Sequence, residues 1–462
     1  MAEKSAIPLE LGTEKIGRLL KQYAFPAIIA QTASSLYNMV DSIFIGQGVG
    51  PLAISGLAVT FPLMNLSTAF GTLVGAGAAT MLSVLLGQKN YKAANKVLGN
   101  VVSLNVIIGL IFMAIALIFI DPILYFFGAS ENTLPYAKEY ISIILIGNVV
   151  THLYFGLNAA MRSSGSPKKA MGLTIFTVVF NTILDPIFIF VIDLGIAGAA
   201  WATVLAQTAA MIVVLRHFSD RSRAFHFEKG LFKLDMRVAK DSLAIGMGPF
   251  LMNAAACLVT LFINQQLRDY SGDLGIGSYG ICNRFIFMFI MICMGLNQGM
   301  QPIAGYNYGA RQYSRVREVF WMTAKYATIV TCICFAIGMF IPRLAAGIFT
   351  HDEALLDMSS EGLRILTLGF PIVGFQMIGT NFFQSLGMVR KSVILSLSRQ
   401  ILFLLPLLYT LPIWHGANGV WMSFPVSDLL SALLTAVLLR QLFRKFNKLK
   451  DGEEGTILGG QL

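Results

Sequence analysis

The chain is a succession of long apolar stretches cut by short polar ones. Windows without Asp, Glu, Lys or Arg recur at 22–40, 42–88, 99–120, 140–161, 194–215, 242–267, 285–310 and 365–389. Each has at least the ~18 residues a membrane-crossing helix needs. Splitting the pattern at its Gly, Pro and charged breaks predicts twelve helices, at about 17–45, 53–86, 94–120, 133–160, 168–192, 195–217, 240–267, 277–308, 316–342, 360–386, 391–412 and 417–441. An even number returns the chain to the side it started from.

Composition strengthens this reading. Hydrophobic residues make up 56% of the 462 and charged ones 13%, about half the ~25% of a soluble domain. The chain is therefore an all-α polytopic membrane protein. Its net charge of +10 would suit a nucleic-acid partner if it were spread evenly, but it is not. Basic residues cluster in the first segment (Lys15, Arg18, Lys21), after the second helix (Lys89, Lys92, Lys96), after the fourth (Arg162, Lys168, Lys169) and after the sixth (Arg216, Arg221, Arg223, Lys229, Lys233, Arg237). They recur after the eighth (Arg311, Arg315, Arg317), after the tenth (Arg390, Lys391) and in the tail (Arg440, Arg444, Lys445, Lys448, Lys450). All these places lie on one face. The alternate loops carry acids, such as Asp121, Glu131, Asp193, Asp269, Asp273, Asp352, Glu353 and Asp357. By the positive-inside rule the basic face and both termini are cytoplasmic, and topology alone accounts for the charge. The opening "MAEKSAIPLELGTEKIGRLLKQ" has no short apolar core with a cleavage site, so no signal peptide is expected. Five cysteines (Cys257, Cys282, Cys293, Cys332, Cys334) fall in hydrophobic segments without paired loop spacing, which predicts neither a disulfide framework nor a zinc site.

The chain also repeats itself. "LLGQKNYKAANKVL" (85–98) aligns with "NYGARQYSRVREVF" (307–320), "RSSGSPKKA" (162–170) with "QSLGMVRKS" (384–392), and "GIAGAAWATVLAQ" (195–207) with "GANGVWMSFPVSD" (416–428). The offset is about 222 residues. Two six-helix units are predicted, 1–222 as an N-terminal lobe and 223–462 as a C-terminal lobe with the basic tail. An even helix count per unit makes the repeats parallel, an architecture that places a substrate cavity between two rocking lobes.

Against this apolar background the acids stand out. Asp41 precedes the outer turn at Gly46 by about 7 Å of helix, Asp185 precedes the outer loop near Ile192 by about 10 Å, and Thr203 enters from Gly195 by about 12 Å. All three share an outer-half layer. Asn181 lies one turn before Asp185 and Tyr37 one turn before Asp41, each on its acid's helical face. Carboxylate, amide and hydroxyl oxygens at one depth suit a hard cation, or a proton shared by two acids. In the repeat Asp41 aligns near Asn264, Asp185 with Leu405 and Asn181 with Ile401, so the coupling chemistry is expected in the N-terminal lobe alone. Pro26 removes an N–H inside the first helix and favours a bend there. Arg399 and Asp428 are two further intramembrane charges; they either pair or leave Asp428 to line a cavity. Phe and Met are abundant, at 34 and 21; most are expected to face lipid or neighbouring helices.

The duplicated six-plus-six helices, "YAFPAIIAQTASSLYNMVDSIFIG", "RSSGSPKKA", "NTILDP" and "GIAGAAWAT" together resemble the multidrug and toxic compound extrusion (MATE) transporters, in their bacterial DinF/MepA-like branch. The resemblance covers nearly the whole chain and implies the MATE fold of twelve transmembrane helices in two pseudo-symmetric six-helix lobes. It implies an antiporter of the bacterial inner membrane that exports organic, often cationic or amphipathic compounds while Na⁺ or H⁺ enters. Carried over residue by residue, it makes Asp41, Asn181, Asp185 and Thr203 the coupling-ion ligands, with the Ala199 carbonyl beside them. It also marks Asn158 as a polar position and Pro26 as a hinge of the first helix. Relatives outside the branch use acids in helices 7 and 10; here those helices offer Asn253, Asn264, Gln265, Gln376 and Asn381. No cofactor besides the coupling ion, no partner besides solutes and membrane lipids, and a monomer are expected.

Other classes fit less well. A lipid-linked oligosaccharide flippase of the same wider superfamily needs several basic residues in its cavity, and Lys and Arg here keep almost entirely to cytoplasmic loops. No G-x-S-x-G, H-E-x-x-H or Walker-A pattern appears, which argues against an enzyme or direct drive by ATP. A channel needs a ring of selectivity groups, and these acids sit in one half.

Overall fold

In the computed structural model, residues 10–221, 223, 225–227 and 233–453 are described. Lys229, the chain ends and the side chain of Asp273 lie outside the described residues. The spans are α1 (Ile16–Gly48), α2 (Pro51–Gly87), α3 (Tyr91–Ile118), α4 in two pieces (Leu134–Ile146 and Asn148–Ser163), α5 (Pro167–Pro186, extended by a π-helical turn Ile187–Val191) and α6 (Gly195–Ser219). The second set is α7 (Met236–Gly272), α8 (Leu274–Gly309), α9 (Tyr313–Phe340) and α10 in two pieces (Glu353–Thr367 and Phe370–Ser385). It ends with α11 (Val389–Leu397, π-helical over Ser398–Leu404, then on to 415) and α12 (417–446). Among the described residues this gives the twelve membrane-spanning helices that the hydrophobic windows predict.

The duplication is visible in the backbone. Left-handed positions recur at the repeat spacing: Gly50 and Gly272, Lys89 and Arg311, Gly165 and Gly387, Gly195 and Gly416. Gly272 (φ 63°) and Gly416 (φ 55°) reverse the chain between α7 and α8 and between α11 and α12, a conformation that costs a Cβ-bearing residue more. The bends recur as well. The two pieces of α4 meet at 53° around Gly147, and those of α10 at 55° around residues 368–369, where the sequence predicts single helices. At the α4 bend Thr151 donates to the Gly147 carbonyl at 3.3 Å and Asn148 to the Gly109 carbonyl at 3.4 Å. His152 donates to the Ser67 carbonyl at 2.8 Å, and the Ser67 hydroxyl bonds Asn148. Side chains at the break thus tie α4 to carbonyls of α2 and α3, giving these polar groups partners inside the protein.

Packing divides the chain into two compact units, residues 10–13 with 29–250 and residues 14–28 with 251–453. The division differs from the 222/223 boundary of the duplication because helices α1 and α7 are each split between units. In the first unit α2 runs along α3 and the second piece of α4, which also packs on α6. The start of α7 joins them through contacts that have no room for a side chain. A Cβ on Gly246 would lie 1.8 Å from the Leu73 carbonyl oxygen, and one on Gly77 1.9 Å from that of Ser242. In the second unit α9, α10 and α12 pack together around Phe370, Val373 and Trp421. The start of α1 joins by the equivalent contact, with Gly299 against Ala24 and Gly295 against Ile28 at 2.5 Å from their would-be Cβ atoms. Small residues let the backbones approach, and van der Waals contact holds them where lipid supplies no hydrophobic drive.

The linker re-enters at Asp235, which caps α7. Its carboxylate accepts from the Arg237 N–H at 3.2 Å and the Val238 N–H at 3.5 Å, with Lys96 at 3.4 Å. Asn100 of α3 grips the same residue, donating to its carbonyl at 3.1 Å and accepting its N–H at 3.0 Å. The Val238 N–H, then Lys96 and the Arg237 N–H, hold the Asp235 carboxyl below its ordinary pKa despite the opposing desolvation. Two outcomes are expected from thermal unfolding in detergent. Gly246→Ala destabilises by about 1–3 kcal/mol through overpacking, whereas Gly172→Ala, with nothing within 4 Å of its Cβ, does not. Asp235→Ala costs about 1 kcal/mol at neutral pH. Because the folded pKa is depressed, that stabilisation is present above the unfolded value and lost as pH falls through the folded one, so wild type and variant converge in acid.

Candidate functional site

The site lies within the first unit, where α1, α4, α5 and α6 converge. On α5 the one-turn spacing puts Asn181 and Asp185 on one face, and the Asn181 amide donates to Asp185 Oδ1 at 3.4 Å. The same amide donates to Thr203 Oγ1 of α6 at 3.3 Å. Thr203 in turn shares a hydrogen bond of 2.7 Å with the Tyr37 hydroxyl of α1, and Asp41 stands one turn beyond Tyr37. The connection α5–α6 turns through the π-helical segment just after Pro186, and Gly198 lets α6 pass close to it, since a Cβ there would lie 2.8 Å from the Phe188 carbonyl carbon. Backbone geometry of this kind is frequent beside functional groups.

Burial is close to complete: Asp185 is 0% exposed, Asn181 2%, Asp41 5% and Thr203 8%. The two carboxylates lie within electrostatic reach of one another. No Lys or Arg forms an ion pair with either among the described residues. Three buried oxygens, Asp41 Oδ1, Asn181 Oδ1 and Asp185 Oδ2, have no hydrogen-bond partner among the described residues. Each such group costs on the order of 1–3 kcal/mol and more if charged. A cluster rich in acceptors and short of donors attracts a cation or a proton. Among the described residues no three His, Cys, Asp or Glu assemble into a metal site; the donors here are mixed oxygens, which suit a hard monovalent ion.

The other residues singled out in the sequence fall elsewhere or play adjoining parts. Ala199 is fully buried one turn before Thr203, in the apolar cluster with Ile45, Leu57 and Tyr140 that backs the site. Asn158 is not in the cluster. It donates to the Ala170 carbonyl at 3.2 Å near the start of α5. Between them the Tyr154 hydroxyl meets Thr174 at 3.2 Å and Thr177 at 3.5 Å, and Thr177 is one turn from Asn181. A line of hydroxyls and amides therefore runs along α4 and α5. Pro26 lies inside α1, which continues through it as helix, and belongs to the other compact unit, whose boundary falls at residues 28–29. Tyr140 was not legible as a site residue: fully buried on α4, it packs with Ile45 and Ala199 in the cluster behind the site. It comes from a different helix with no spacing relation to either acid. In the second unit Arg399 Nε donates to Asp428 Oδ1 at 2.7 Å, which decides for pairing between the two sequence readings.

The family model described as MatE matches residues 26–187 and again 247–410, one match in each repeat. The chain is similar to the multidrug export protein MepA of Staphylococcus aureus (strain MRSA252), 28% identical over 427 residues that cover 92% of this chain and 94% of that protein. MepA of Staphylococcus haemolyticus (strain JCSC1435) is 26% identical over equal coverage. Among solved structures, the MATE multidrug transporter DinF-BH is 36% identical with a TM-score of 0.87, covering 95% of this chain and 98% of that one. An outward-facing MATE family transporter of the MOP superfamily shares the fold with a TM-score of 0.90 at 22% identity, over 97% of this chain and 100% of that one. With both repeats matched in turn over more than half of its length, the chain belongs to the MatE family of membrane transporters.

Proposed function

We propose that this protein is a multidrug efflux antiporter of the bacterial cytoplasmic membrane, with both termini cytoplasmic, which expels organic cations and amphipathic compounds as Na⁺ or H⁺ enters. The observation that carries the coupling is the set of three unpartnered buried oxygens on Asp41, Asn181 and Asp185. Two carboxylates without a cation are costly inside a membrane, so each binding event is a large local change in energy. An entering Na⁺ would take oxygens from Asp41, Asn181, Asp185 and Thr203, with the Ala199 carbonyl nearby. A proton would instead neutralise one acid and turn it into a donor for its neighbours. Either event removes the repulsion between the carboxylates and frees Tyr37 and Asn181 to repack, which gives occupancy a way to bias α1 against α5 and α6.

The reading of the family names supports small organic solutes as cargo, since MepA is a multidrug export protein and DinF-BH a multidrug transporter. Alternating access needs the ion and the solute to bind the two conformations with different affinity. The acids provide that difference because their charge is exposed to, or shielded from, water as the lobe moves.

The test is dye efflux from proteoliposomes under an imposed Na⁺ gradient alone, then a pH gradient alone. Asp41→Asn and Asp185→Asn are each expected to cut gradient-driven efflux by at least about tenfold while folding normally. Loss under the Na⁺ gradient identifies a sodium site, and loss under the pH gradient a proton site. Undiminished efflux by either variant overturns the role of that acid.

A further inference from the structure

The second unit holds a charged pair in its interior that the coupling chemistry does not use. Asp428 of α12 is 4% exposed, and Arg399 of α11 reaches it through Nε at 2.7 Å. The arginine lies in the π-helical part of α11, and there the Ser427 hydroxyl donates to its carbonyl at 2.6 Å. Asp428 also fills the bend of α10: a Cβ on Gly369 would lie 3.0 Å from its Oδ2. Three helices therefore fix both charges, about 15 Å of helix from the cytoplasmic end of α11.

The guanidinium is left only partly used. Of its five N–H donors, Nε–H is taken by Asp428, and neither Nη nitrogen has an acceptor among the described residues. The Arg399 side chain keeps 26% of its surface exposed, against 5% for Asp428. A pair kept for stability alone is replaceable by apolar side chains, and four unspent donors at mid-membrane are costly without an acceptor. Aromatic rings border the pair. Phe424 is one turn before Asp428 on α12, its ring 5.9 Å from that of Tyr279, which lies 6.3 Å from Trp421.

We propose that the free Nη edge of Arg399, held in place by Asp428 and Ser427, binds the carboxylate or sulfonate of a flat aromatic solute. The planar fork matches an oxyanion with two parallel hydrogen bonds, which an ammonium does not reproduce. Of the neighbouring rings, the half-buried Phe424 and Tyr279 accept the solute's ring, while Trp421 is packed in the core. A lipid phosphate is excluded by depth, because headgroups lie at the surface of the ~30 Å hydrocarbon layer. The site gives the protein an acid-bearing or zwitterionic class of cargo, separate from the cation cluster of the first unit.

The experiment compares rhodamine B, which carries a free carboxylate, with its ethyl ester, by fluorescence anisotropy on the purified full-length protein in detergent without any gradient. Arg399→Gln is expected to weaken the acid about tenfold, the worth of one charge-assisted contact, and to leave the ester within about twofold. Because that variant leaves Asp428 buried without its partner, Arg399→Gln combined with Asp428→Asn is measured beside it and should show the same selective loss. Arg399→Lys should restore only part of the acid's affinity. Unchanged binding of the acid by the double variant, an equal loss for both dyes, or displacement of the acid by added phosphatidylglycerol overturns the proposal. Because this binding is read without any gradient and as a difference between acid and ester, failure of ion coupling and failure of this site read differently.

Discussion

A carboxylate in a hydrocarbon layer has to find inside the protein what water would otherwise supply. That constraint governs the rest of this structure. Asp185 is met by the Asn181 amide of its own helix, and Asn181 and Tyr37, one turn from the two acids, join through Thr203, so α1, α5 and α6 must meet at one depth. The meeting is incomplete, since an oxygen on each acid and on Asn181 stays without a donor. A fully satisfied network would be more stable and would have no reason to respond to an ion.

The same rule explains the handling of the backbone. Bends in α4 and α10 and π-helical turns in α5 and α11 all break the regular ladder inside the membrane. At the α4 bend Asn148, Thr151 and His152 take up carbonyl groups; in α11 Ser427 takes that of Arg399. These irregularities stand next to the ionisable side chains, where a departure from helix re-aims a residue that a straight span would point elsewhere.

The two repeats solve the charge problem in opposite ways. In the first, two buried acids stand beside neutral amide, hydroxyl and phenol groups with no Lys or Arg paired to them among the described residues. In the second, Asp428 has its cation built in as Arg399. One fold, duplicated, thus carries a half with two acids that have no ion-pair partner among the described residues and a half whose charge is already balanced. The crossed packing, in which the first stretch of α1 belongs to the second repeat's unit and that of α7 to the first's, ties the halves through the chain itself. Gly77 and Gly246, with Gly295 and Gly299 as counterparts, are the contacts that such crossing requires.

The sequence by itself determined the spans and the duplication, because the cost of dehydrating backbone and charge is paid residue by residue and leaves its mark on composition. The predicted sixth helix, 195–217, is observed as Gly195–Ser219; the tenth, predicted from 360, begins at Glu353 because its first turns are amphipathic and fell outside the uncharged window. One-turn spacing also made Tyr37 with Asp41 and Asn181 with Asp185 legible as pairs. Only the tertiary structure decided that these pairs meet through Thr203, that Tyr140 joins them, and that Asn158 does not. It alone showed that Arg399 pairs with Asp428, and that the compact units cut α1 just after Pro26. Those outcomes depend on which helices pack together and where they bend, and a bend at Gly147 or a π-turn after Pro186 is set by contacts between segments far apart in the chain, which no local pattern encodes.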